Sequence, residues 1–513
     1  MLEGLPARVA DYRLDEIELM SMSGVTQMGK LVLVYEGEPE QGVDAKTVAA
    51  DTPVPASIGG GASAGGGGGG GGGGAPRTLF YKYTCIRRCY KQPMVPDRLI
   101  SCMGNSMHEA ALFGEHMYYN GVQAATDAAG VPTPRCFACV THNWSPPDGC
   151  RYKTGLLLLN RHRDVRQLLV MEDLATASST DAAGEWGPWE TMSMGLGKSA
   201  PLHFVLPMAR HLAEIHSACW GDVALLDTLA VEGPCDFYFG HVLPKLGPLG
   251  DPRKKFTKRV AKTVVRSFIA LSAKDARLGD VAAEAADFGA VIDGVQRNLK
   301  LLSTMVAALD ARRVTVVHGD FHVGNVFFRS RRERDAGEAE IFKSGAGAGA
   351  GGAGAGGDRR MPMMFPHDAG DAIEGEAEDV QFKVIDWAWM AKGTPAMDLA
   401  YLLATSQNAN AGADAAVLRA YHAALVQHRP ASATDYPYEA LEHEFVVLTA
   451  MIVATVSTLF GMGDVLKQYD DAQKAGGQAQ ILYETIANLF VNSVRRLRDM
   501  VLNDPAKRAK YLG

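Results

Sequence analysis

The 513-residue sequence predicts an α+β fold in which a small β-rich lobe precedes a larger helical one. Three observations predict it. The region before Leu174 reads as strands, with β-branched and aromatic residues at period two, interrupted by a single helical segment, MHEAALFGEHMYYNGV. The region after Pro201 is dominated by apolar residues at helical spacing. Short strands return only around residues 314 to 387, inside the helical part. The boundaries that follow are residues 1–170 for the first lobe and 171–513 for a connector and the second lobe.

In the first lobe, LVLVYEG and TLFYKYTC read as paired strands separated by a glycine tract, Gly59 to Gly74. Such a tract has almost no side-chain area to set against its backbone entropy, so it reads as an insertion at a hairpin tip. A second low-complexity insertion spans about residues 330–380, with a Gly/Ala tract from Gly345 to Gly357 between NVFF and FKVIDW. CFACV and LLVMEDLATA read as two more strands. In the second lobe, helical stripes occur at Val205, Met208, Leu212, Ile215 and Cys219, then at Phe256, Val260, Val264, Phe268 and Leu271. A third runs through Phe288, Ile292, Val295, Leu299 and Leu302, and a last through Leu482, Ile486, Leu489 and Leu497.

Composition narrows the function classes. With 47% hydrophobic and 21% charged residues the chain lies far from disordered or fibrous sequences. A net charge of -7 provides no cationic field to draw it onto nucleic acid or an anionic membrane, which points to a small-molecule partner. Eight cysteines are too sparse for a disulfide scaffold and fit reduced thiols in the cytoplasm. The N-terminus carries Glu3, Asp11, Asp15 and Glu16 where a signal peptide would be basic and then apolar. The most apolar stretch, Leu448 to Phe460, is shorter than the roughly 20 residues needed to cross a bilayer and reads as a buried helix.

The chemistry concentrates in two segments. In VTVVHGDFHVGNVFF an apolar strand runs into His318-Gly319-Asp320, and Asn325 follows in the same loop. Phosphoryl transfer needs a carboxylate to accept the attacking hydroxyl's proton and an amide oxygen to ligate magnesium, and Asp-x-x-x-x-Asn supplies both. In FKVIDWAWMAKGTPAMDLAYLL, Asp386 ends a strand whose pairing with NVFF would bring its carboxylate, a hard ligand suited to magnesium, beside that loop. A polar turn between strands is the plain alternative for the first motif. HGDFHVGN followed by IDW and DLAYLL resembles the superfamily of aminoglycoside phosphotransferases, choline kinases and ecdysteroid-kinase-like (CHK kinase-like) proteins, sharply from about Val314 to Leu403 and by element order elsewhere.

That resemblance implies a protein-kinase-like two-lobed fold with ATP and Mg2+ in the cleft, and a small-molecule hydroxyl as acceptor. It implies Asp320 as base, Asn325 and Asp386 as magnesium ligands, and Asp398 as the brace of the catalytic loop. His318 and His322 read as supporting residues. Lys82, sharing a strand face with Phe80 and Thr84, is the candidate for holding the nucleotide phosphates, against a snorkelling strand lysine. Glu115 is its candidate partner, with Glu109 the alternative and an exposed helix glutamate the plain reading. Met171, Glu172 and Asp173 resemble the hinge, where backbone groups would meet the adenine and side-chain identity matters little. His216 and Trp220, on the helix after the hinge, read as packing residues.

The phosphate-covering loop departs from the pattern. In MSMSGVTQMGKLVLVY the glycines Gly24 and Gly29 do not make G-x-G-x-x-G, so Ser21, Ser23, Gly24 or Thr26 would hold the phosphates. That irregularity and the long insertions motivate a rival reading, a nucleotide-binding pseudokinase or scaffold. A protein kinase is disfavoured by His-Gly-Asp, by IDW and by the lack of an Ala-Pro-Glu segment. Cys136 and Cys139 read as packing residues, and the basic run Arg329 to Asp335 as a solvated loop balanced by acids. Glu442, Glu444, Asp464, Asp470 and Asp471 would favour a cationic acceptor if they faced the pocket.

Overall fold

The computed structural model describes residues 9–17, 26–35, 78–85, 112–142, 166–174, 186–191, 200–228, 254–307, 313–331, 380–406, 408–430, 435–462 and 465–513. Both insertions, Ser21, Ser23, Gly24 and Glu109 lie outside them. The fold is mixed α+β with small antiparallel sheets.

Five strands form the first sheet: β1 (Val9–Ile17), β2 (Thr26–Tyr35), β3 (Thr78–Cys85), β4 (Cys136–His142) and β5 (Arg166–Glu172). Their order is β1-β2-β3-β5-β4, antiparallel throughout. Alternation along β3 sends Leu79 and Tyr81 into a small apolar cluster with Leu31, Leu33 and Val170, and Phe80 to the opposite face, against the main core. Between β3 and β4 lies helix α1, residues 112–128, which includes a π-turn at Tyr118–Val122. Tyr118, Tyr119 and Val122 join Cys139, Leu169 and Met171 in the main core, which continues without a break into the helices.

The helices that matter below are α2 (Leu202–Ala218), α3 (Lys254–Lys274), α4 (Ala285–Arg297), α5 (Leu299–Ala307), α6 (Ala396–Ser406), α7 (Ala411–His428) and α8 (Tyr438–Met462). They bury the expected stripes: Val205, Met208 and Leu212 on α2, then Val264, Phe268 and Leu271 on α3, are all fully buried. Each such side chain contributes roughly 1.5–3 kcal/mol. The stripe from Phe288 to Leu302 is two helices rather than one. Asn298 stops α4, its backbone N–H and its side-chain Nδ2 both donating to Gly294 O, and its own carbonyl accepts from Leu302 N to start α5.

The apolar stretch Leu448–Phe460 is itself shorter than a bilayer span, but it forms the C-terminal half of the longer helix α8. Over Tyr438–Ser457 the helix has a bilayer-spanning length and a mean hydropathy of 1.5, but 78% of that window is buried inside the protein. Glu444, within it, accepts from the Tyr436 hydroxyl at 2.6 Å and from the Thr394 hydroxyl.

Two further sheets sit among the helices. β7 (Thr315–Val317) pairs antiparallel with β10 (Ala391–Gly393). β8 (Val326–Ser330) forms a hairpin with β9 (Val380–Val384), and β6 (Glu190–Thr191) adds to its edge.

Candidate active site

The loop after β7 hangs from one buried carboxylate. Gly319 adopts φ 80°, a left-handed conformation that costs a glycine little, and so both neighbouring amides turn the same way. His318 N donates to Asp398 Oδ2 at 2.7 Å and Gly319 N to Asp398 Oδ1 at 2.8 Å, with Asp398 wholly buried in the first turn of α6. His318 is also wholly buried. Its Nε2 donates to Ile385 O at 2.8 Å, which leaves Nδ1 to accept from Asp320 N at 3.2 Å. Asn325 Nδ2 donates to Asp320 O at 3.0 Å and lies 3.4 Å from Asp320 Oδ2. His322 braces the far side: Nδ1 accepts from Gly324 N at 3.0 Å and Nε2 stands 3.7 Å from Asp320 Oδ2. Burial opposes a charge on His322, but Asp320 and Asp386 together outweigh it and raise the imidazole above its usual range. Asp320 itself is held by its backbone, with 22% of its side chain exposed.

The second group joins the five-stranded sheet to the β8/β9 hairpin. Lys82 Nζ donates to Glu115 Oε1 at 2.6 Å and to Asp386 Oδ1 at 2.9 Å. Glu115 is buried on α1, and Gly114 beside it packs so tightly that a Cβ there would lie 2.7 Å from Ala388 O and 2.8 Å from Trp387 O. Asp386 stands just past β9 at φ 62°, ψ 58°, the only non-glycine with positive φ among the described residues. A left-handed residue with a Cβ costs about 1–2 kcal/mol, and a short carboxylate tolerates it best. The strain is sustained by Ile385 N, which donates to Asn325 O at 2.9 Å and ties this strand end to the loop. Trp387 follows, its ring stacked on Tyr118 with centroids 3.8 Å apart and planes 6° apart, and 4.7 Å from the His318 ring. An aromatic column thus runs from α1 to the loop.

One lysine faces two carboxylates here. Burial disfavours the Lys82 charge, but Asp386 and Glu115 outweigh it and hold the ammonium well above the ordinary lysine range. Burial also governs Glu115 and raises it to about 7 despite Lys82, with Asp386 adding to the rise. Asp386 goes the other way: desolvation would raise it, and Lys82 more than offsets this, in keeping with a side chain 42% exposed. Asp386 and the Asn325 amide offer hard oxygens of the kind a divalent cation takes, beside a negative excess.

The remaining expectations fare differently. Met171 is a buried strand residue opposite Phe80 and Cys136. In the segment that resembles the hinge the side chains are engaged within the protein: Glu172 Oε2 accepts from Lys383 Nζ at 2.6 Å and from Arg135 N at 3.1 Å, and buried Asp173 lies 3.4 Å from Lys30 Nζ. These carboxylates clip the connection to β9, β2 and the start of β4. Arg329 is not in a solvated loop. It lies on β8, bonds Gln381 Oε1 at 2.7 and 2.9 Å, and stacks 4.5 Å over Trp189. Cys136 and Cys139 are packing thiols, Cys136 pushed up to about 12 by burial. Three of the acids read as an acceptor wall already have partners within the protein: Glu444 as above, Glu442 with Lys507 at 3.2 Å and Asp470 with Lys274 at 2.8 Å. Asp464 lies outside the described residues.

His216 is buried in the core as expected, and it is also a polar brace. Wholly buried on α2, it meets Asp398 Oδ2 through Nε2 at 3.1 Å and the Tyr421 hydroxyl through Nδ1 at 2.7 Å. Its position beside Leu212 and Ile215 on the apolar face of α2 was a signal, since a histidine there needs partners. Tyr421, 205 residues away on α7, left no local signal. Trp220 does pack, with its ring against Tyr436. No protein-family model matches this chain, and no curated protein matches it significantly.

Proposed function

We propose that this protein is an ATP- and Mg2+-dependent phosphotransferase of kinase-like, two-lobed architecture, acting in the cytoplasm on a hydroxyl of a small molecule. The single observation that carries the reading is convergence: Lys82, Glu115 and Asp386 meet within hydrogen-bond distance across a sequence separation of 304 residues, and the strand end bearing Asp386 is bonded to the loop of Asp320 and Asn325. The resemblance around Val314 to Leu403 names the chemistry that such a group performs.

Under this reading Asp320 takes the proton of the acceptor hydroxyl, and the loop's tethers, His318 N and Gly319 N to Asp398 and Asp320's own backbone to His318 and Asn325, keep the carboxylate in place for in-line attack. Lys82 clamps the α- and β-phosphates, aligned by Glu115. Asn325 and Asp386 would hold Mg2+, which when bound supplies charge neutralisation at the transferring phosphoryl group. Backbone groups around Glu172 to Leu174 would receive the adenine edge, since the Glu172 and Asp173 side chains are engaged elsewhere. The net charge of -7 supports a small-molecule acceptor over nucleic acid, and the free thiols Cys136, Cys139 and Cys219 suit a reducing compartment.

The test is ADP formation from Mg-ATP with a panel of amino alcohols, aminoglycosides, sugars and sterols, beside Asp320→Ala. Acceptor-dependent ADP that vanishes in the variant supports the enzyme. Tight ATP binding without turnover would favour the pseudokinase reading, for which the irregular spacing of Gly24 and Gly29 speaks.

A further inference from the structure

We infer that His216 and Tyr421 are positioning residues of the proposed phosphotransfer, holding Asp398 so that its two oxygens keep the loop of Asp320 in its reactive shape. The inference rests on the phosphotransferase reading for its kinetic consequence, and on hydrogen bonds for its geometry.

Asp398 Oδ2 carries a double load, accepting from His318 N at 2.7 Å and from His216 Nε2 at 3.1 Å, while Oδ1 accepts from Gly319 N at 2.8 Å. A carboxylate can only accept, so His216 must carry its proton on Nε2. Nδ1 is then an acceptor, and the partner 2.7 Å away is the Tyr421 hydroxyl, which donates. Burial, with Asp398 and Glu444 near, pushes that phenol far above its ordinary range, so it keeps the proton it must give. The carboxylate fixes the tautomer, the tyrosine holds the imidazole in place through Nδ1, and the histidine in turn fixes the carboxylate's rotation. The same residue also fixes the strand before the loop, because Thr315 Oγ1 donates to His216 O at 2.6 Å. All of His216, Asp398 and Tyr421 are fully buried, so no water competes for these bonds, and a lost partner leaves the group unsatisfied. Three helices, α2, α6 and α7, thereby converge on two backbone amides next to Asp320.

The experiment compares wild type with Tyr421→Phe, His216→Gln and His216→Asn. Glutamine keeps a donor near the place of Nε2, whereas the shorter asparagine keeps its amide near Nδ1 only, out of reach of Asp398. Amide hydrogen exchange at His318 and Gly319, the melting temperature, and kcat and KM for Mg-ATP hydrolysis with water as acceptor are measured together. Tyr421→Phe is expected to speed exchange at both amides and lower kcat about tenfold, the effect of one buried hydrogen bond, with KM for ATP unchanged. His216→Gln is expected to retain more of kcat and of amide protection than His216→Asn at comparable melting temperature. Unchanged exchange and kcat in Tyr421→Phe, or equal losses in the Gln and Asn variants that track the melting temperature, would overturn the inference. A wild type that binds ATP but forms no ADP with water or with any acceptor of the panel would sink the phosphotransferase reading instead, and amide exchange alone would then decide whether the network holds the loop.

Discussion

The two halves of the candidate site are built on opposite electrostatic terms. Around Asp398 the carboxylate is wholly buried and its bonds come from backbone amides and an imidazole, so the network stores shape rather than charge. Around Lys82 a single cation faces two carboxylates, Glu115 is raised to about 7, and Asp386 sits in strained backbone with much of its side chain exposed. The difference teaches where each half can change. The first has every bond to lose and nothing to gain from a ligand. The second is short of positive charge, and a divalent cation or a pH change would alter it directly.

The largest expected effect breaks the first half at its purpose. Asp320→Asn should lower turnover by roughly 10²–10⁴, the range for losing a general base, while nucleotide affinity and melting temperature stay near wild type. Isothermal titration with Mg-ATP beside turnover checks both.

Next comes the cation of the second half. Lys82→Met leaves Glu115 and Asp386 without it and should destabilise by about 3 kcal/mol at pH 8, the usual cost of stranding a buried charge. The loss should shrink at pH 5, where Glu115 takes a proton. In the wild type Glu115's folded value, about 7, lies above its unfolded 4.5, and removing Lys82, whose charge lowers it, moves it further the same way, so the sign holds in the variant. Stability from the protonated form is full below about 4.5 and is lost as pH rises through about 7. Glu115→Gln should flatten that slope, and denaturant unfolding of both variants across pH 5–8 reads it. If Lys82→Met is equally unstable at both pH values, the charge account of this cluster is wrong.

Gly114→Ala tests the seam between the halves. Its Cβ would meet two backbone carbonyls at 2.7 and 2.8 Å, neither of which is a flexible side-chain end. Overpacking of this kind costs about 1–3 kcal/mol and should push α1, with Glu115, away from Lys82. A loss of stability together with weaker nucleotide binding is the expected pair, and an unchanged melting temperature would contradict the packing seen here.

The smallest effect is an absence of reactivity. Cys136, raised to about 12 by burial, and Cys139, raised further, should resist iodoacetamide at pH 7.5 in the folded protein and react only on unfolding. Rapid alkylation of the native protein at either thiol would show that the sheet opens.

How much of this was legible in the chain depended on distance along it. The β8/β9 hairpin and its flanking turns could be read because strand period, turn residues and a short apolar run are local signals, and they bring residues 320, 325 and 386 to one place with few alternatives. The split of one helical stripe into α4 and α5 was not legible, because helical spacing continues across Asn298 while its capping does not. The burial of α8 is legible in its apolar run Leu448–Phe460, whereas the extension of the helix back to Tyr438 is not, since polar Glu444 precedes that run and only Tyr436 and Thr394 make it fit a core.

By itself, then, the sequence determined the α+β class, the order of strands and helices, and the face of β3 on which Lys82 lies, because propensity and periodicity act over a few residues. Tertiary structure decided what those faces meet. Only folding joined Tyr421 to His216 and His216 to Asp398, clipped Glu172 to Lys383, laid Arg329 on Trp189, and withdrew Glu442, Glu444 and Asp470 into pairs of their own. A buried polar group declares its need for a partner in the sequence. Which partner answers depends on helices packed against one another across hundreds of residues, and no local signal carries that.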